Sequence, residues 1–152
     1  MFSYCFKSQN PVIHVEYKDT TPFIPPVTNG KVIKVYDGDT ITIASKLPIR
    51  NSPVYRFSVR LNGIDTPEMK TKDENEKEIA QKAKEHLSGL IMNKMVELKE
   101  VKIEKYGRLL AEVYYKNIHV NSNMIVNRYA VKYDGGTKNC PENWKEYHYY
   151  KN

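Results

Sequence analysis

KVIKVYDGDTITIA, residues 31–44, sets the reading of the whole chain. Apolar and polar residues alternate in KVIKV and again in TITIA, and Asp37-Gly38 between them supplies tight-turn chemistry. Two antiparallel strands are predicted. A third follows in VYRFSVRL (54–61), where Phe57, Val59 and Leu61 share one face and Arg56, Ser58 and Arg60 the other. Arg60 therefore points away from the apolar side.

Downstream the period changes. Between Glu74 and Met95, residues Ile79, Ala83, Leu87, Leu90 and Ile91 fall on one stripe with charges elsewhere, which predicts an amphipathic helix. In VELKEVKIE (96–104), Val96 and Leu98 alternate in one phase and Val101 and Ile103 in the other. Such a slip predicts a β-bulge or sharp bend. LLAEVYY (109–115) reads as a fifth strand, KNIHV (116–120) as a turn, and residues near 121–130 as a second helix with Asn121 as its N-cap. PENWKEYHYYKN (141–152) predicts a short helix started by Pro141. The order is an α+β, mainly β pattern that suits a five-stranded OB-fold barrel with two to three helices, with a split α+β sandwich as the alternative.

Residues 1–30 show no regular period, and Pro22, Pro25 and Pro26 disfavour both helix and central strand. They read as a proline-rich arm ahead of a folded domain at 31–152. The chain of 152 residues is long enough to bury a real core, and its net charge of +6 favours encounter with polyanions such as nucleic acid. No apolar run approaches the length of a bilayer span, and MFSYCFKSQN lacks a continuous apolar signal region, so an intracellular protein is expected. Cys5 and Cys140 resemble no ligand cluster; they read as two unpaired thiols, with a disulfide between them as the alternative.

Three clusters sit at strand ends: Asp37 to Thr40, Arg60 to Glu68, and Lys105 to Arg108. Asp39, Asp65 and an oxygen of Thr66 form an all-oxygen set suited to a hard cation such as Ca²⁺, with Mg²⁺ and Mn²⁺ as alternatives; the competing reading makes DGD only a hairpin turn. Arg60 and Arg108 are suited either to gripping a phosphate or to pairing with surface acids. Glu68 is either a proton acceptor for water or a solvated loop glutamate. His86 and His119 lack a Ser or Cys partner in the pattern and read as local hydrogen-bonding residues, while His14 and His148 carry no signal.

In order, VYDGDTITI, VRLNGIDTPE and EKYGRLLAEVY resemble the signatures of the staphylococcal nuclease-like family, also called thermonucleases. The similarity runs from about Lys31 to Tyr133. It implies a calcium-dependent phosphodiesterase on an OB-fold barrel, cutting DNA or RNA with little base preference and leaving 3′-phosphate ends. By that resemblance Asp39 and Asp65 match the metal-binding carboxylates, and Thr66 matches the residue whose carbonyl binds the metal. Asp37 matches an acid shaping that site from behind the ligands. Glu68 matches the catalytic glutamate, and Arg60 and Arg108 match the catalytic arginines. Lys105 and Tyr106 match positions that contact the nucleotide's terminal phosphate, and Tyr133 stands near the nucleotide-stacking tyrosines. Residues 1–30, the charged loop MKTKDENEKE and the chain's ending depart from the family's secreted members. Two other readings compete: a non-catalytic OB-fold module that binds nucleic acid, and a basic adaptor that docks protein through Trp144 and its Tyr/Lys-rich tail.

Overall fold

The structure, a computed structural model, describes residues 12–136 and 140–150. Strands β1 (Asn29–Val35) and β2 (Thr40–Lys46) form an antiparallel hairpin, and β3 (Val54–Leu61) pairs antiparallel along the length of β2. The two-residue β4 (Ile64–Asp65) and helix α1 (Glu74–Ile91) follow. β5 (Met95–Ile103) returns beside β1, and β6 (Leu109–Tyr115) pairs antiparallel with β5. β6 also pairs in parallel with β3, Arg60 opposite Leu110, and this closes the five long strands into a barrel. The chain ends in β7 (Ile118–His119), α2 (Val120–Val126), β8 (Val131–Lys132) and α3 (Trp144–Tyr149). This is the predicted α+β, mainly β barrel, with three α-helices among the described residues.

The barrel forms because the strand period puts one apolar set inside. Val32, Ile41, Ile43, Val59, Leu61, Leu98, Ala111 and Val113 are all buried in a single core. Val27 belongs to the same core, whereas the described residues before it are largely exposed. The phase slip in VELKEVKIE appears as a register shift between Lys99 and Lys102, with Glu100 in the left-handed region at φ 51°. Such a bulge bends β5 enough to serve β1 at one end and β6 at the other.

Helix α1 starts at Asp73, whose carboxylate accepts from the backbone N–H of Asn75 and Glu76. Its buried residues Ile79, Ala83, Leu87 and Ile91 recur every four positions, as the sequence stripe predicts. The β1–β2 turn lies directly on this helix. A Cβ on Gly38 would come within 2.9 Å of the Ala83 Cβ and 3.1 Å of the Thr66 side chain. Gly38 is needed for close approach, and its φ is not in the left-handed range that an Asp-Gly hairpin turn suggests.

Four local expectations are corrected. Asn121 is not an N-cap: α2 begins at Val120 with His119 in the capping position, and Asn121 is buried inside the first turn. There its Oδ1 accepts from Val113 N at 2.9 Å while its Nδ2 donates to Asn62 O and Ala111 O at 2.8 and 3.2 Å. The need to satisfy these three interior backbone groups outweighs the cap preference. KNIHV is more than a turn, since Lys116 at φ 53° reverses the chain and β7 pairs with the end of β6. Helix α2 stops at Val126, short of 130, and Arg128 at φ 60° turns the chain so that β8 pairs with β4. Helix α3 begins at Trp144 under an Asn143 cap, with Pro141 outside it.

Trp144 is buried and α3 packs on α1, where Lys145 Nζ meets Glu78 at 2.7 Å. The indole is thus taken up by the fold and is not offered to a partner. His86 bonds Asn123 at 2.8 Å and packs on Tyr129, a local role as read. Cys5 lies outside the described residues, and with it any pairing to Cys140. No helix among the described residues is long and apolar enough to cross a membrane.

Removing this buried amide takes a partner from Val113 N, Asn62 O and Ala111 O, of which Ala111 O still accepts from Asn62 N at 2.9 Å. Asn121→Ala is expected to lower the unfolding free energy by roughly 2–4 kcal/mol in urea denaturation, against less than about 0.5 kcal/mol for the exposed Asn127→Ala. Equal effects of the two would remove Asn121 as a structural bridge.

Candidate active site

One rim of the barrel collects the ends of three segments. Thr40 opens β2 opposite Arg60 near the end of β3, and Leu61 N donates to Asp39 O at 2.8 Å. The β3–β6 register brings the residues before Leu109 to the same rim. Asp65, expected in a loop, instead lies on β4, where pairing with Val131 of β8 fixes its backbone. Gly63, at φ 73°, makes the turn between β3 and β4.

A cleft of about 300 Å³ results. All ten residues singled out from the sequence line it: Asp37, Asp39, Arg60, Asp65, Thr66, Glu68, Lys105, Tyr106, Arg108 and Tyr133. At its floor, Arg60 Nη2 bridges Asp39 Oδ2 at 3.1 Å and Asp65 Oδ1 at 3.2 Å. The three side chains are 13, 9 and 4% exposed, so solvent screens this triad little. Arg60 Nη1 donates to the carbonyls of Ile64 and Leu61 at 3.0 and 3.3 Å, and the guanidinium lies 5.7 Å from the Tyr133 ring centre. Arg60 thus sits between the two expected roles, paired with acids at a position lining the cleft.

Asp39 carries the electrostatic strain. Burial pushes its carboxyl from the ordinary 3.8 up to about 6, opposed by Arg60, raised further by Asp37 and Asp65, and lowered by a hydrogen bond from Thr40. Asp37 accepts from Asp39 N at 3.1 Å, which shapes the turn that presents Asp39. Glu68 is exposed, and its N–H donates to Glu76 of α1 at 3.0 Å. Lys105 and the 73%-exposed Tyr106 stand on the β5–β6 turn, whose bend uses Gly107 at φ 82°.

Three further residues belong to the site. Glu104 holds Arg108 through both Nε and Nη2. Thr40 Oγ1 donates to Asp39 Oδ1 at 2.9 Å and accepts from Arg108 Nη1 at 3.4 Å, linking the two sides of the cleft. Cys140 Sγ donates to Asp65 Oδ2 at 3.4 Å. The four-residue spacing from Glu104 to Arg108 across a Gly turn could have signalled the first, and Thr40 adjoins Asp39. Nothing in the sequence couples Cys140 to Asp65, because tertiary folding alone joins them.

Residues 58–152 match the family model described as staphylococcal nuclease homologue. The chain is also similar to an "uncharacterized endonuclease" of Haemophilus influenzae, 36% identical over 95 residues that cover 62% of this chain and 47% of that protein. A "probable endonuclease" of Schizosaccharomyces pombe is 32% identical over 128 residues, covering 70% and 56%. The chain therefore spans about half the length of the relatives it matches. The family match begins within β3, so the joining of Asp37 and Asp39 to this site rests on the geometry above.

Because the folded chain holds the Asp39 proton more tightly than the unfolded chain, stability falls as pH rises from about 4 to about 6, and the cost is complete above that. Asp39→Asn removes the buried charge. Relative to the native chain the variant is expected to gain roughly 1–2 kcal/mol on going from about pH 4.5 to about pH 7.5. Urea denaturation in chelator reads the difference, and a difference that stays flat across this range rejects the buried-charge account.

Proposed function

The chain belongs to the staphylococcal nuclease homologue family, and on that footing we propose that it hydrolyses phosphodiester bonds of DNA or RNA, with little base specificity and with Ca²⁺ as cofactor. The observation that carries this reading is the convergence of three segments on one polar cleft, with Asp39, Asp65, Glu68, Arg60 and Arg108 among the residues lining it. Neither an isolated hairpin turn nor scattered surface pairs requires that convergence. A basic chain with this cleft suits a polyanionic substrate.

The donor set fits a hard cation. Asp39 and Asp65 converge within 3.2 Å of one Arg60 nitrogen, and their mutual repulsion and burial are what a cation relieves. Among the described residues no three His, Cys, Asp or Glu side chains gather as a metal site. Asp39, Asp65 and the Thr66 carbonyl would hold the ion with water completing its shell, and Mg²⁺ or Mn²⁺ would use the same oxygens. Bound there, the ion supplies Lewis acidity and a template for a phosphoryl oxygen.

The chain's own residues account for the rest. Glu68, exposed beside the acids, accepts a proton from the attacking water or orients it. Arg60 and Arg108 hold the scissile phosphate and stabilise the charge that grows on its oxygens. Glu104 fixes the Arg108 fork, so less side-chain freedom is lost on binding. Lys105 and Tyr106 receive the terminal phosphate of the nucleotide, Tyr133 offers its ring to a base, and Asp37 maintains the turn behind Asp39. On the family reading, water adds to phosphorus and the P–O5′ bond breaks, giving a 3′-phosphate on one fragment and, after protonation from solvent, a 5′-hydroxyl on the other.

Single-stranded DNA, duplex DNA and RNA incubated with Ca²⁺, Mg²⁺, Mn²⁺ or chelator test the reading. Cleavage is expected with Ca²⁺ and its loss in chelator, with product ends identified by mass spectrometry. Glu68→Gln and Arg60→Ala are each expected to lower kcat by about 10²-fold or more. Full activity in both variants would refute the site, and binding without cleavage under every metal would favour a non-catalytic nucleic-acid module.

A further inference from the structure

Strands β1, β2 and β3 carry five cations and no acid: Lys31 and Lys34 on β1, Lys46 on β2, and Arg56 and Arg60 on β3. Alternation decides where they point. Val32, Ile41, Ile43, Val59 and Leu61 fill the core, so Lys31, Lys46, Arg56 and Arg60 turn outward, and the bulge between Val32 and Lys34 brings Lys34 to the same side. Register then sets two rows beyond the cleft floor, Lys34 beside Thr42 and Ser58, and Lys31 beside Ala44 and Arg56. Lys31, Lys34, Lys46 and Arg56 are exposed, and none of the four forms an ion pair among the described residues. On α1, by contrast, Lys77 and Lys82 meet Glu74 and Glu78 at 3.6 and 2.9 Å.

We propose that this outer face of β1–β3 is a track for the backbone of a single-stranded nucleic acid, carrying the strand out of the cleft for several nucleotides beyond the scissile phosphate. The assignment rests on the reading of the cleft as a phosphodiester site. Arg60 belongs to both, since it lines the cleft and ends the outward series Arg56, Ser58, Arg60 on β3. Outward residues recur about every 6.7 Å along a strand, so from Arg60 to Val54 the face runs about 20 Å. Tyr36, 51% exposed, stands at the cleft end: its N–H donates to Thr40 O at 2.8 Å and its ring lies 5.5 Å from Lys34 Nζ. Exposed cations with an aromatic ring among them are what a strand of unpaired bases needs, charges for its phosphates and a face for a base.

Charge selects this direction over another. Past Tyr133 the cleft adjoins a cavity of about 440 Å³ walled in part by Asn62. Its lining carries Asp134 and Glu112, the latter bonded to His119 at 2.7 Å, against one lysine, Lys132, and so offers a polyanion no net attraction. Along β1–β3 the strands hold no carboxylate, and Glu97 faces Asn29 from β5, beyond Lys31. The outward side chains at the centre of the track, Thr42, Ala44 and Ser58, are short, so a backbone can lie between the β1 lysines and Arg56. Lysine and arginine contacts to phosphate carry no base information, which leaves this part of the strand tolerant of sequence.

Fluorescence anisotropy titrations of the full chain into end-labelled oligothymidine of about 12 nucleotides, in chelator over a range of salt, test the track. Each phosphate contact on a single strand contributes about 0.7 to the slope of log affinity against log salt, so removing three lowers the slope by about 2. Between about 50 and about 200 mM salt, Lys31→Gln/Lys34→Gln/Arg56→Gln is therefore expected to lose about 20-fold less affinity than the native chain. Lys77→Gln/Lys84→Gln/Lys116→Gln, which removes the same charge elsewhere, should keep the native slope to within about 0.7. Thermal melting shows whether each variant is folded, and the three single variants of the track, each lowering the slope by about 0.7, serve in place of a triple variant that is not. Equal slopes in the native chain and the track variant, equal losses in the two triple variants, or tighter binding of a duplex of the same length overturns the proposal. A chain with the expected slopes that cuts nucleic acid with no metal keeps the track and loses the catalytic reading; one that cuts while both triple variants bind like the native chain loses only the track.

Discussion

The parallel pairing of β3 with β6 is the constraint on which the rest depends. It joins Val59, Arg60 and Leu61 to Leu109, Leu110 and Ala111, and so turns an open sheet into a barrel without free edges among its five long strands. The register has a second consequence. With Arg60 opposite both Thr40 and Leu110, the turn before β2, the turn before β6 and the segment after β3 must share a rim. A slip of one residue would send Arg60 into the core and Leu61 out, which the core's apolar packing forbids. Site geometry is thus secured by the same burial that stabilises the fold.

That rim is electrostatically unfavourable by itself. Asp39 and Asp65 are more deeply buried than Arg60, and one guanidinium compensates both. The backbone around them is correspondingly over-determined. β8 pairs with β4, Tyr133 N donates to Gly63 O at 2.9 Å, Leu61 N holds Asp39 O, and Asn121 ties Asn62 to β6. Strained or desolvated groups persist where surrounding structure fixes them, and such groups gather at functional sites.

The parts of this arrangement that rest on short-range pattern were legible in the sequence. The strand alternation in TITIA and VYRFSVRL, the stripe from Ile79 to Ile91 and the phase slip before Lys102 each have a local physical cause, and each appears where the pattern puts it. The convergence of Asp39, Asp65 and Arg108 was suggested by their placement at strand ends and sharpened by the family resemblance, since spacing alone cannot bring three turns together. The misses share a cause. Asn121 looks like a cap because its local preference is strong, yet three long-range backbone partners outweigh it. β4 and β8 are too short to show a period, and Cys140 reaches Asp65 only through tertiary structure.

The Asn62-Gly63 turn links these levels most directly. Its left-handed glycine lets the chain leave β3 and enter β4 within two residues, so Asn62 faces one cavity and Asp65 faces the other. Tyr133, fastened to Gly63 by its own N–H, stands between them. One rigid turn and the β4–β8 pair behind it therefore fix the walls of the two cavities relative to each other.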